Sequence, residues 1–214
     1  MSLPSESSRR SAPWPWGLAG ALLVLAGAVL HRAGPQQDLF LALQDAGAGV
    51  PVTLWAALSV LGLGWSGAIV LCALARPGRG QRAVAAMVLA APLAGLAVLV
   101  GKRLFDVPRP AAVLGEGLRV IGERLTAANS MPSGHSITAA AVTTLILIGL
   151  PLRWPQRLLV ALGGAAVLLS RVEVGAHWPA DVLAGGGLGL WTAVLAWWAA
   201  GRWAPLRQIG RAHV

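Results

Sequence analysis

The sequence predicts an all-α polytopic membrane protein, a bundle of six transmembrane helices, and three observations carry that prediction. Apolar residues make up 56% of the 214-residue chain and glycine adds 27 positions, while charged residues reach 12% where soluble domains carry about 25%. Six apolar stretches, at 14–31, 51–75, 83–101, 136–152, 157–171 and 179–201, reach or approach the ~20 residues that cross a hydrocarbon core of about 30 Å. No segment of about ten residues alternates apolar and polar side chains, so helices rather than a barrel satisfy the backbone in lipid. The same figures exclude a disordered chain, a disulfide scaffold and a nucleic-acid-binding domain, because a solvated surface needs more charge than this chain owns despite its net +9.

Residues 1–13 read as a cytoplasmic tail, 14–203 as one membrane domain and 204–214 as a second cytoplasmic tail. The first stretch follows Arg9-Arg10 as a secretion signal does, but Trp14 and Trp16 at its border and five further spans favour an uncleaved helix. The second holds Cys72, the lone cysteine, expected as a buried inert thiol. The third ends at Lys102, the single lysine beside sixteen arginines. After it, Ala111 to Leu125 intersperses Val113, Leu114, Leu118, Val120, Ile121 and Leu125 among charges, the pattern of an amphipathic helix lying over the site. The fourth stretch opens on Ser136 and the fifth closes on Arg171. The sixth starts at Pro179, a residue tolerated in a first helical turn. Gly163-Gly164 and Gly185-Gly186-Gly187 permit close helix contacts.

Six crossings put both termini and the turns near 76–82 and 153–157 on one side. That side holds Arg9, Arg10, Arg76, Arg79, Arg82, Arg153, Arg157, Arg202, Arg207 and Arg211, with only Glu6 against them. On the other side, basic and acidic residues cancel. The entire net charge thus lies on one face, which the positive-inside tendency assigns to the cytoplasm. Trp154, Trp197, Trp198 and Trp203 suit an interfacial belt there, whereas Trp65 and Trp191 read as packing.

The polar residues capable of chemistry fall on the opposite, neutral face, in three clusters at predicted helix ends. In the first, Lys102 to Pro110, a point-charge Lys102 and a forked Arg109 complement phosphate oxygens; alone, the cluster reads as snorkelling anchors. In the second, Pro132-Ser133-Gly134-His135, glycine lets backbone approach a ligand and helix N-terminal amides point at anions. Its plain alternative is a helix start with Ser133 as cap. In the third, Ser170 to Asp181, the spacing of four lets the Asp181 carboxylate hold one nitrogen of His177 while the other faces a substrate. There the plain alternative has Asp181 stabilising the helix N-terminus and Arg171 pairing Glu173. Ionisable groups at membrane depth cost about 2.5–3.5 kcal/mol each on insertion scales, which makes such a cluster functional by default.

Jointly the clusters resemble the type 2 phosphatidic acid phosphatase superfamily of membrane lipid phosphatases. Its signature is met by Lys102 with Arg109-Pro110, by Pro132-Ser133-Gly134-His135, and by Ser170-Arg171 with His177 and Asp181, in order and with family-like separations. Vanadium-dependent haloperoxidases share the signature but are larger soluble proteins, which this composition excludes. The resemblance implies that His177 attacks phosphorus and becomes a phosphohistidine, oriented by Asp181. It implies that His135 protonates the leaving oxygen and then activates water. Lys102, Arg109, Arg171, the Ser133 hydroxyl and the Gly134 amide surround the equatorial oxygens, with no metal or other cofactor. The implied substrate is a lipid-linked phosphate or diphosphate, of undecaprenyl diphosphate, phosphatidylglycerophosphate, phosphatidic acid or lipid A type. The expected setting is the outer face of a bacterial cytoplasmic membrane. A lipid phosphotransferase using the same histidine is an alternative, and a non-catalytic lipid-binding or transport protein is another.

Overall fold

The computed structural model describes residues 13–75, 80–126 and 129–202. Both expected tails, apart from Pro13, and Arg76, Arg79 and Trp203 lie outside them. Nine α-helices are present among the described residues: α1 (Trp14–Ala33), α2 (Gln36–Ala46), α3 (Val52–Leu61), α4 (Gly64–Leu74), α5 (Gln81–Phe105), α6 (Pro110–Leu114), α7 (Gly134–Gly149), α8 (Trp154–Glu173) and α9 (Pro179–Ala200).

Among the described residues, three helical stretches are long and apolar enough to cross a membrane: α1, α5 with its continuation to Gly117, and α9. A fourth is added if α3 and α4 count as one span, although they bend by 76°. Of the other two expected spans, α7 is apolar but only 16 residues long. Helix α8 has 20 residues, but polar Gln156-Arg157 and Ser170-Arg171 near its ends dilute its apolar stretch. The expected span at 51–75 is broken because Gly62-Leu63-Gly64 interrupts the ladder, with Leu63 extended at ψ 143°.

Small residues set the packing. Gly20 and Gly27 of α1 lie against Gly187 and Ala180–Ala184 of α9, so these two helices run antiparallel with backbones in near contact. Gly185 and Gly189 of α9 face Ser133 and Ile137 of α7, which runs parallel to α9. A side chain at any of these glycines would run into backbone atoms, and the contacts of Gly185 and Gly189 fix the N-terminal turns of α7 and α9 side by side. A buried cluster including Leu71, Met87, Leu145, Ala193 and Trp197 fills the opposite end. There Arg82 donates to the Trp197 carbonyl at 2.7 Å and lies 4.1 Å above its ring.

Hydropathy alone misassigns several faces. Cys72 is exposed on α4, not buried. Trp65 is turned outward rather than packed, and Trp191, though part-exposed, lays its ring against Gly20 of α1, while Trp197, expected in the belt, is buried beneath Arg82. In a lipid-facing bundle, apolar side chains are stable on both sides, so sequence does not tell core from periphery. The expected amphipathic helix over 111–125 is confined to α6 and one 3₁₀ turn, Gly115–Gly117. Gly115 and Gly122 take positive φ, and the chain from Leu118 continues without helix.

Candidate active site

The three clusters meet through backbone contacts before any side chain is considered. Helix α5 ends just beyond Lys102, with Asp106 in the left-handed region at φ 38°. The chain then runs through Val107-Pro108 to Arg109, the residue that precedes α6. Ser130 N–H donates to the Val107 carbonyl at 2.7 Å, joining the first cluster to the second. Ser133 N–H donates to the Asp181 carbonyl at 3.1 Å, joining the second to the third. At Gly185 a Cβ would stand 2.6 Å from the Ser133 carbonyl oxygen, so only glycine admits this approach. The Arg171 carbonyl accepts the N–H groups of both Ala176 and His177, at 3.2 and 3.1 Å, as the chain reverses through Gly175 at φ 77°.

His177 and Asp181 are buried, and the imidazole Nδ1 faces Asp181 Oδ2 at 3.4 Å. That oxygen also accepts from Trp178 N–H at 2.9 Å and from the Ser130 hydroxyl at 2.5 Å. Asp181 therefore both caps α9 and holds the imidazole, so the two readings of this residue coexist. Arg109 donates to the Ala176 carbonyl at 2.9 Å. Arg171, also buried, donates one nitrogen to the Ser59 hydroxyl, and its Nε is buried without a partner. Glu173 pairs with Arg119 at 2.8 Å rather than with Arg171, which frees the Arg171 guanidinium for other oxygens. The Ser133 hydroxyl is the N-cap of α7, accepting from Ser136 N–H at 3.3 Å and from the Ser136 hydroxyl at 3.0 Å, which leaves its own proton to donate.

Electrostatics tie the groups together. Arg109 and Arg171 act on His177, while Lys102, Arg109, Arg171 and His177 all act on His135. Asp181 in turn acts on Lys102 and Arg109. Three cations face one carboxylate, an excess that a bound anion would neutralise. Burial pushes the His177 imidazole down to about 4; Asp181 opposes the shift, and Arg109 and Arg171 add to it. At neutral pH the ring is uncharged and keeps a lone pair.

Two adjoining cavities open onto this cluster. One, of about 630 Å³, is an apolar furrow between α4, α5 and α7 that reaches Gly134 and His135. The other, of about 540 Å³, is lined by Lys102, Arg103, Arg109 and Asn129. Both share Gly95 and Val98, so an apolar channel joins a cationic mouth. All eight residues singled out from the sequence lie in this region. Four contributors had no sequence signal of their own. Ser130 and Ser59 touch the catalytic candidates directly. Gln44 and Arg119 brace the turn after α8, Gln44 donating to the carbonyls of Arg119, Val172 and Glu173 at 3.0, 3.2 and 3.3 Å.

Comparison with known proteins places this arrangement among relatives. Residues 83–204 match the family described as PAP2 superfamily. The chain is 41% identical over 68 residues to an undecaprenyl-diphosphatase of Sulfolobus acidocaldarius, a match covering 31% of this chain and 32% of that one. It is 38% identical over 74 residues to a lipid A 1-phosphatase of Porphyromonas gingivalis, covering 34% of this chain and 17% of that one. The matched regions thus span a third or less of either relative's length. Among solved structures, Aquifex aeolicus LpxE superposes with a TM-score of 0.64 at 23% identity, over 75% of this chain and 93% of the other. A PAP2-type phosphatidylglycerolphosphate phosphatase from Bacillus subtilis superposes at 0.57 and 21% identity, over 86% and 93%. At those identities the likeness is one of fold.

Proposed function

The chain belongs to the PAP2 superfamily, and from that premise we propose that it is an integral membrane phosphatase acting on a lipid-linked phosphate or diphosphate through a phosphohistidine at His177. One observation carries the reading: a buried imidazole held by a carboxylate lies near Arg109 and Arg171, beside a second histidine, His135, that lines an apolar furrow.

Nδ1 of His177 is turned to Asp181, which leaves Nε2 as the attacking atom. Its lone pair forms the nitrogen–phosphorus bond while the bond to the lipid-side oxygen breaks. His135, protonated once the anionic phosphate offsets the cations around it, delivers that proton to the departing oxygen. The resulting neutral His135 takes a proton from water, whose oxygen attacks phosphorus and returns the electron pair to His177. Lys102, Arg109 and Arg171, with the Ser133 hydroxyl and the Gly134 amide, hold the equatorial oxygens and offset their charge. Phosphoryl transfer asks mainly for such positioning. No step draws on a metal.

The furrow between α4, α5 and α7 takes the lipid tail, while the cationic mouth takes the head group. In this reading the chain crosses six times, with α7 and α8 the short spans and α3–α4 one bent span, so that the site faces the outer side of a bacterial cytoplasmic membrane and both termini the inside. Supporting this, Arg82, Arg153, Arg157 and Arg202 lie at helix ends remote from the site, and no acidic side chain among the described residues accompanies them. Undecaprenyl diphosphate, phosphatidylglycerophosphate, phosphatidic acid and lipid A phosphates are the candidate substrates, the first and last matching the names of relatives.

The test is phosphate release by purified protein in detergent across those four lipids, with His177→Ala alongside. Release from at least one lipid without added acceptor, lost in the variant, is expected. Release only with an acceptor lipid would make the protein a phosphotransferase. Equal turnover by His177→Ala would overturn the reading.

A further inference from the structure

Asp181 Oδ2 is crowded. It accepts from the Trp178 N–H at 2.9 Å and from the Ser130 hydroxyl at 2.5 Å, and the imidazole Nδ1 is its most distant neighbour of the three at 3.4 Å. The second carboxylate oxygen, Oδ1, is buried without a partner and takes none of this load. The Ser130 hydroxyl oxygen lies 3.3 Å from the same Nδ1. A hydroxyl has one proton to give and two lone pairs to accept with, and here the proton is already committed to the carboxylate. The lone pairs are left for the ring N–H.

We propose that Ser130 is a positioning residue that bridges Asp181 and His177, accepting Nδ1–H with its oxygen while donating its own proton to the carboxylate. The proposal rests on the phosphohistidine reading above and says how the attacking nitrogen is selected. With the Nδ1 proton fixed on the Ser130 side, the lone pair is confined to Nε2. As the ring gains positive charge on attack, the bridge passes the carboxylate's stabilisation to it without a proton changing owner.

The surroundings support a built feature. Ser130 is fully buried, and its N–H is held by the Val107 carbonyl, two residues before Arg109, so the main chain that carries the hydroxyl is fixed beside the pair. The same segment returns to α9 through Ser133 N–H and the Asp181 carbonyl. Asp181 is thus gripped by its side chain from Ser130 and by its main chain from Ser133. The charged or titratable groups facing His177 are Asp181 from α9, Arg109 from the loop before α6, Arg171 from α8 and His135 from α7.

Ser130→Ala and Ser130→Cys test the bridge, the second keeping the volume with a weak donor and acceptor. The substrates are phosphatidic acid and farnesyl diphosphate in detergent micelles, with kcat and KM determined from pH 3 to 8. Both variants are expected to lose roughly ten- to a hundredfold in kcat with KM within about threefold. The acid limb of kcat/KM should move to lower pH, because the imidazolium loses the acceptor that passed the carboxylate's stabilisation to it. A side chain that merely filled space would leave the limb in place, and Cys would restore kcat. Wild-type kcat in both variants, or a loss without a moved limb, overturns the bridge while leaving the nucleophile intact. Wild-type protein active but indifferent to His177→Ala would instead overturn the reading beneath it.

Discussion

Asp181→Asn separates the two jobs of this carboxylate. With its oxygen in the Oδ2 place, an asparagine still accepts from Trp178 N–H and from the Ser130 hydroxyl, so the cap of α9 survives. Its amide nitrogen then takes the Oδ1 place, where a buried donor meets no acceptor, at about 1–3 kcal/mol of stability. The negative charge that faced His177 is gone. Lost stabilisation of the charged ring in the transition state costs about 1.5–3 kcal/mol, the value of a hydrogen bond to a charged group. That lowers kcat by about 10- to 10²-fold. Because the cap persists, the melting midpoint in detergent should fall by about 2–12 °C and no further. Phosphate release from phosphatidic acid, measured beside a thermal melt, checks both. A variant retaining more than about a tenth of wild-type kcat would refute the orienting role, and a collapse of the melt would show that the cap was misjudged.

Acid should weaken the fold through His177. The folded imidazole stays neutral down to about pH 4, whereas the unfolded chain's histidine takes up its proton near 6.5. The unfolded state therefore binds more protons in that window, and stability falls as pH drops from 6.5 towards 4. His177→Gln should flatten this part of the melting profile; an unchanged slope would contradict it. Turnover should survive excess EDTA, since Lys102, Arg109 and Arg171 supply the positive charge, and a strict Mg²⁺ requirement would contradict that account. Gly185→Ala drives a methyl to 2.6 Å from the Ser133 carbonyl oxygen, while at Gly186 the nearest atom is a Leu168 methyl at 3.0 Å. The first should cost about 1–3 kcal/mol and lower kcat, and the second should do little to either; kinetics and melts on the pair check this.

Much of the site is legible in the chain because each cluster sits at a helix end and chemistry restricts what belongs there. Lys102, Arg109, His135, Arg171, His177 and Asp181 are all visible as ionisable groups beside apolar runs. What is not legible depends on tertiary contact. Ser59 is an ordinary serine in an apolar helix until the guanidinium of Arg171 reaches it. Ser130 looks like a loop residue until Asp181 closes on it. Glu173 is two residues from Arg171 in sequence, yet the helix turns it towards Arg119, in a segment that sequence spacing reads as amphipathic helix. The bend at Gly62–Gly64 was hidden inside one apolar run, and its position matters. A Cβ at Gly62 would stand 3.0 Å from the Cβ of His135, so the break seats the second histidine. The exposure of Cys72 has the same origin as the misread tryptophans: apolar composition marks a residue for the membrane without saying which way it faces.

The most direct test of the whole account is to quench the protein with acid-sparing denaturant during turnover of a ³²P-labelled lipid phosphate and map the label. The account predicts a base-stable, acid-labile phosphoryl group on the peptide containing His177, absent from His177→Ala and, once formed, longer-lived in His135→Ala, which cannot activate water. Label on any other residue, or turnover through His177→Ala with no labelled protein at all, would contradict it.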